Sequence, residues 1–183
     1  MSIFNIIIFI ILILLAPTAY AGLIGAPYVP TFTPAIRRAL KKINLGSNDL
    51  LLDLGSGDGK VLLEAHKHGA RAIGYELSPI MWFISWLRLT VPPLIRGGRG
   101  VNKQRVYLRN FYRLKLPKET TVIFLFLMPD KMNRIYEFLR KQDLPNLRNV
   151  VVYSFPFTNL EPIESFKEPN CGTIFIYDGQ KFK

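Results

Sequence analysis

Apolar and polar positions alternate with different spacings along the chain, separating an apolar leader from a series of strands and helices. Residues 3–15 are apolar apart from Asn5, and the stretch runs on through Pro17 to Ile24. Thirteen helical residues rise about 20 Å, and continuation to residue 24 reaches about 33 Å, enough for the roughly 30 Å hydrocarbon core of a bilayer. A proline-rich loop follows at 25–31. Thr33 is placed to cap a helix with Pro34 in its first position, and Ile36, Ala39, Leu40 and Ile43 recur at i, i+3, i+4, i+7. Gly46 marks the end of that helix. Residues 50–54 are a nearly continuous apolar run, which predicts a buried parallel strand. A glycine-rich turn then leads into a helix over 60–67, closed by Gly69.

The alternation repeats. A strand over 71–76 precedes a helix from Ser78-Pro79 to Leu89, ended by Pro92 and Pro93. That helix is apolar almost all round, so it is deeply buried or faces lipid. Residues 95–104 form a basic, glycine-rich loop, followed by strands over 105–108 and 121–128. Pro129 opens a helix in which Met132, Ile135, Tyr136 and Leu139 recur at helical spacing, and strands follow at 150–155 and 173–177. Together these elements predict an α/β, Rossmann-like, doubly wound and mainly parallel sheet preceded by an N-terminal transmembrane helix. Residues 159–171 hold no convincing helix, which leaves six or seven strands. Residues 1–25 form the leader and 26–183 one domain.

Composition narrows the picture. The chain is 49% hydrophobic and 13% aromatic, which excludes a disordered polypeptide. Cys171 is the single cysteine, so no internal disulfide forms. One Cys with His66 and His68, two apart on a helix and on different faces, supplies too few ligands for structural zinc, and no metal is expected. The net charge is +11, and the first charged residue is Arg37. No Lys or Arg precedes the leader, whereas Arg37, Arg38, Lys41 and Lys42 follow it. This asymmetry favours a single-pass membrane anchor with the domain in the cytoplasm. A cleaved signal peptide is the alternative, because Ala19-Tyr20-Ala21 has the form of a cleavage site. The basic surface fits anionic lipid.

The chemistry concentrates where the first strand meets the first helix, at Asp53-Leu54-Gly55-Ser56-Gly57-Asp58-Gly59. Glycines let backbone turn sharply and approach a ligand where a Cβ would collide. Glu76 closes the second strand, from which a carboxylate can accept both hydroxyls of a ribose. Loop and acid together predict a nucleoside site at the carboxyl ends of the strands. A nicotinamide site wants a third glycine at position 60, which is Lys60, and Val61 breaks the phosphate-loop pattern. Asp53 and Asp58 would repel a pyrophosphate but suit S-adenosylmethionine, which carries an ammonium and a sulfonium.

Residues 53–59 resemble the first motif of the seven-strand S-adenosylmethionine-dependent methyltransferases, and Glu76 resembles their ribose-binding acid. More narrowly, the chain is similar to the membrane-anchored protein-lysine methyltransferases, a family that includes the ATP synthase c-subunit enzymes. The shared stretches are residues 27–31, 53–60, 74–79, 129–132 and Phe155-Pro156-Phe157. The resemblance implies a cofactor set of Asp53, Gly55, Ser56, Gly57, Asp58, Gly59, Glu76, Leu77, Asn110 and Phe111, and a lysine of a membrane-associated protein as acceptor. The chain departs from the pattern twice. Asn110 stands where an Asp usually accepts from the adenine amino group, although its amide oxygen can do the same. Ser154 stands where the family tends to have Arg.

Met128, Pro129 and Asp130 follow the fourth strand and are expected to line the acceptor side, with Tyr28, Pro30 and Thr31 folding over it. Asp130 is the candidate acid/base group, its alternative being a helix-start carboxylate favoured by the helix dipole. The Asn/Asp-Pro-Pro-Tyr/Phe and Pro-Cys patterns of base methylation are absent, which argues against a nucleic-acid acceptor. A lipid-soluble small-molecule acceptor and a non-catalytic membrane module remain as alternatives.

Overall fold

The structure, a computed structural model, describes residues 2–24, 31–95, 104–169 and 171–183. Tyr28, Pro30 and the basic loop at 96–103 lie outside the described residues.

Helix α1 (Ile3–Ile24) is followed by α2 (Thr33–Lys42), then β1 (Leu50–Leu54), α3 (Lys60–Lys67), β2 (Arg71–Glu76), α4 (Pro79–Ile95) and β3 (Gln104–Leu108). The second half comprises β4 (Val122–Leu125), α5 (Met132–Arg140), β5 (Asn149–Tyr153), β6 (Glu164–Lys167) and β7 (Thr173–Asp178). The strands form a seven-stranded sheet in the order β3-β2-β1-β4-β5-β7-β6, with β7 antiparallel to both neighbours and the other described pairs parallel. All five residues of β1 are buried, as the apolar run predicted, because both faces of the sheet are covered. Residues of α2, α3 and α4 pack on one face; α5 and the aromatic segment after β3 pack on the other.

The strand order reverses between β1 and β4, so their carboxyl ends bracket a crevice. The opposite end of the sheet is pinned by buried Asp49. Its carboxylate accepts from Gly46 N–H (2.8 Å), Thr121 Oγ1 (2.8 Å) and Arg148 Nη2 (2.9 Å). Burial pushes the Asp49 carboxyl up, but these bonds hold it below its ordinary value.

Several boundaries differ from the sequence reading. The N-cap of α2 is Phe32, which leaves Thr33 inside the helix, and α2 is followed by Asn44 in left-handed conformation (φ 51°) ahead of Gly46. Helix α4 continues through Pro92 and Pro93 to Ile95, and Thr90 Oγ1 donates to the Trp86 carbonyl at 2.9 Å. Strand β4 stops at Leu125, which frees residues 126–128 for the end of the crevice. The sheet has seven strands because 164–167 forms an edge strand. The short connection 168–172 permits only a hairpin into β7, since a parallel crossover needs a dozen residues or more.

The leader also requires correction. It is helical, yet among the described residues no helix is long and apolar enough to cross a membrane. The strongly apolar run ends at Leu15, about 20 Å of helix, and Pro17, Thr18, Tyr20 and Gly22 dilute the remainder. The transmembrane helix and the single-pass placement with a cytoplasmic domain are therefore withdrawn.

Candidate active site

The turn after β1 depends on three left-handed glycines, Gly55 (φ 96°), Gly57 (φ 49°) and Gly59 (φ 78°). Two backbone donors, Gly55 N–H (2.9 Å) and Ser56 N–H (3.1 Å), converge on the Tyr75 carbonyl, and Gly59 N–H donates to the Ser56 carbonyl at 2.9 Å. A Cβ added to Gly55 would meet nothing nearer than Leu127 Cδ2 at 3.8 Å, so backbone there is open to a ligand. Gly59 serves packing: a Cβ there would meet Ser85 Oγ of α4 at 2.3 Å.

Glu76 ends β2 one residue beyond the Leu54–Tyr75 pair, which sets it beside this turn. Its Oε2 accepts from Gly57 N–H (2.8 Å), and its Oε1 accepts from Leu77 N–H (2.9 Å) and Ser78 N–H (2.7 Å). Backbone donors from both loops thus hold a buried carboxylate in one orientation, and a carboxylate has about four acceptor sites. Leu77, half-buried, follows directly.

The two aspartates of the turn have opposite surroundings. Asp53 is 3% exposed, and burial, then the charges of Glu76 and Asp58, push its carboxyl well above its ordinary value. Asp58 is instead compensated by Arg88 Nη1 of α4 (2.6 Å) and Lys60 Nζ (3.3 Å). It ties the turn to α4, while Asp53 carries the unbalanced acidity of the site.

At the end of β3, Asn110 Oδ1 accepts from Tyr112 N–H at 3.0 Å and caps a short 3-10 turn, which leaves the second lone pair of that oxygen. Phe111 is buried against Phe138 of α5, ring centroids 5.9 Å apart. Met128 is half-buried, whereas Pro129 and Asp130 are exposed, with Asp130 Oδ2 2.8 Å from Lys131 Nζ. The charge of Asp130 reaches Tyr112, whose hydroxyl is pushed up by burial, opposed by Arg134 and reinforced by Asp130. The segments after β3 and β4 therefore adjoin. Thr31 is half-buried just before α2. A pocket lined by Asn133, Tyr136, Glu137 and residues 157–160 shares none of these residues.

Three contributors escaped the sequence reading. Gly74 in β2 gives the turn its room, since a Cβ there would meet Ser56 Cβ at 2.7 Å and Leu62 Cδ1 at 2.8 Å. A glycine inside a strand pattern signals such close approach. Arg88 and Ser85 carried no local signal, because their partners are some thirty residues away in the chain.

A Rossmann-like sheet of this strand order, with a glycine turn after β1 and an acid closing β2, defines the protein as a methyltransferase-type domain. The chain belongs to the ANTKMT methyltransferase family, whose domain matches residues 53–164. It is similar to the ATP synthase c-subunit lysine N-methyltransferase of Xenopus laevis, 30% identical over 86% of this chain and 65% of that protein. It thus spans under two thirds of that relative's length. A protein-lysine N-methyltransferase of Saccharolobus islandicus is 26% identical over 82% of this chain and 92% of its own. Among solved structures, an RNA methyltransferase from Salinibacter ruber in complex with S-adenosyl-L-homocysteine superposes with a TM-score of 0.69 at 25% identity. That match covers 82% of this chain and 93% of the other.

Proposed function

We propose that the protein transfers a methyl group from S-adenosylmethionine to the side-chain amine of a protein lysine. The observation that carries the reading is the cradle of Gly55, Gly57 and Gly59 beside the backbone-anchored carboxylate of Glu76. Open space over Gly55 and acceptor-only chemistry at Glu76 fit a cationic nucleoside. The protein-lysine N-methyltransferase of Saccharolobus islandicus, matched over nearly its whole length, supports lysine as acceptor. The acceptor named for the Xenopus relative supports the finer reading, a lysine of a membrane-associated protein.

When bound, S-adenosylmethionine supplies a methyl group on a sulfonium leaving group. Glu76 accepts the ribose hydroxyls, Asn110 accepts from the adenine amino group, and Phe111 and Leu77 supply apolar contact beside it. Ser56 and Asp58 hold the turn in shape. Asp53 faces the ligand's positive charge. An acceptor lysine must lose its proton before attack, since its free pKa is about 10.4. Asp130, with Met128 and Pro129 at the end of β4 and Tyr28, Pro30 and Thr31 across from them, is assigned that proton.

The test uses methyl-labelled S-adenosylmethionine, the purified protein, and an extract of cells lacking it. Recovery of label as methyl-lysine after protein hydrolysis is expected; label confined to the lipid or RNA fraction sinks the reading.

Two predictions arise here. Because the Asp53 carboxyl lies above its ordinary 3.8 in the free protein, the folded chain holds this proton more tightly than the unfolded one. Asp53 therefore makes stability fall as pH rises from about 3.8 through the raised value. A cationic cofactor favours the ionised form, so its binding releases a proton and its affinity rises over that same window. Calorimetry in buffers of different ionisation enthalpy should detect this proton, and Asp53→Asn should remove both it and the pH dependence. Asp130→Asn should lower kcat by about 100-fold at neutral pH while leaving cofactor affinity intact. Full turnover at saturating substrate would withdraw the assignment.

A further inference from the structure

Three aromatic rings meet where β4 and β5 end, and the cofactor side uses none of them. Phe126 lies edge-on to Tyr153, centroids 4.8 Å apart at 72°, and stacks at 26° on Phe155 with centroids 6.5 Å apart. The last parallel pairs join Leu54 to Leu125 and Leu125 to Val152, so Gly55, Phe126 and Tyr153 come next on three adjacent strands. Neighbouring strands lie about 4.8 Å apart, which sets the backbone of Phe126 roughly one strand from the open glycine. Phe126 packs toward the α2 and α3 side of the sheet and Phe155 toward the α5 side, so the rings straddle its carboxyl edge.

The backbone works to hold this arrangement. Ser154 adopts a left-handed conformation (φ 72°), with its N–H donating to the Thr173 carbonyl at 2.7 Å. Phe155 N–H donates to the Tyr153 carbonyl at 3.0 Å, closing a tight reversal that turns Phe155 back onto Phe126. A non-glycine residue in that region costs on the order of 1 kcal/mol, and such strain persists where the surroundings over-determine it, often at ligand sites. Tyr153 is buried and its hydroxyl accepts from Gly172 N–H at 3.0 Å, whereas Phe126 and Phe155 are only half-buried. A cluster serving the core alone would close over all three rings.

We propose that Phe126, Tyr153 and Phe155 form an aromatic wall that receives the alkylammonium end of the acceptor lysine and retains its methylated forms. This rests on the lysine reading above. Ring faces attract a cation within about 6 Å of their centroids. Methylation strips an ammonium of hydrogen-bond donors and hydration while keeping its charge, so each methyl favours the wall further over water. Each transfer forms one N–C bond, breaks one sulfonium S–C bond and releases one proton. A retained mono- or dimethyl-lysine is thereby presented again, and the product is driven toward trimethyl-lysine.

The probe is choline against its uncharged isostere 3,3-dimethylbutan-1-ol, titrated by NMR into the full chain. Wild-type protein should prefer choline by about fivefold or more. Phe126→Leu and Phe155→Leu, which keep apolar bulk but remove the ring face, should each lose that preference with cofactor affinity unchanged. With protein substrate, each should shift the product from trimethyl- toward monomethyl-lysine by mass spectrometry. Either variant alone, shown folded by its melting curve, is decisive. Equal wild-type binding of the two probes, or preference intact in both variants, overturns the wall. Choline preference without label in lysine leaves the wall standing as an ammonium site and brings down the lysine reading instead.

Discussion

Glu76→Ala will reduce S-adenosylmethionine affinity by about 100- to 10,000-fold, with the chain still folded. Two ribose hydroxyls donating to one carboxylate contribute about 1.5–3 kcal/mol each, together about 3–6 kcal/mol. The substitution also strips an acceptor from the Gly57, Leu77 and Ser78 amides, so the cradle loosens as well. These amides lie in loops that water can reach on loosening, so the stability loss should stay within about 1–3 kcal/mol. Glu76→Gln retains an acceptor oxygen and should fall between Ala and wild type. Calorimetric titration with the cofactor, beside a thermal melt, separates the two effects. Affinity within tenfold of wild type for Glu76→Ala would remove this residue from the site.

Gly59→Ala should destabilise the protein by about 2–5 kcal/mol and lose cofactor binding with it. Two separable causes contribute. A left-handed alanine costs roughly 1–2 kcal/mol, and forcing a methyl into a packed contact costs roughly 1–3 kcal/mol. The contact is Ser85 Oγ at 2.3 Å, with Ser85 Cβ behind it at 3.2 Å, on a residue with no exposed surface. The Ser85 hydroxyl has no hydrogen-bond partner among the described residues, so Ser85→Ala alone should be nearly neutral. In the double variant it should recover the steric share and leave the backbone strain. Chemical denaturation of the four proteins completes the cycle. Additive effects would show that α3 and α4 do not meet through this glycine.

The cradle was readable before the fold because it is local. Gly55, Gly57 and Gly59 fall within five residues of a buried strand, and Glu76 closes the next apolar run. Strand and helix periodicities place these at one end of a parallel sheet without knowledge of any distant contact. Strand β6 was not readable for the converse reason. Its Glu-Ser-Phe-Lys sequence lies at an exposed edge, where polar residues protect against further pairing. Its one ring, Phe166, is covered by Arg38 (4.9 Å) and Lys42 (5.3 Å) from a helix more than a hundred residues earlier. Asp58 misled in the same way. By position it belonged with Asp53 as an acid facing the ligand, and only Arg88 from α4 reveals that its charge is spent inside the protein.

Periodicity and turn chemistry along the chain thus determined the α/β alternation, the glycine turn and the acid beside it, because each needs only neighbours a few residues apart. Tertiary structure alone decided that Asp53 is the uncompensated acid, that the sheet has seven strands, and that rings from β4 and β5 meet at its carboxyl edge. Those outcomes depend on burial and on charges brought together from distant segments, and neither exists until the chain has folded.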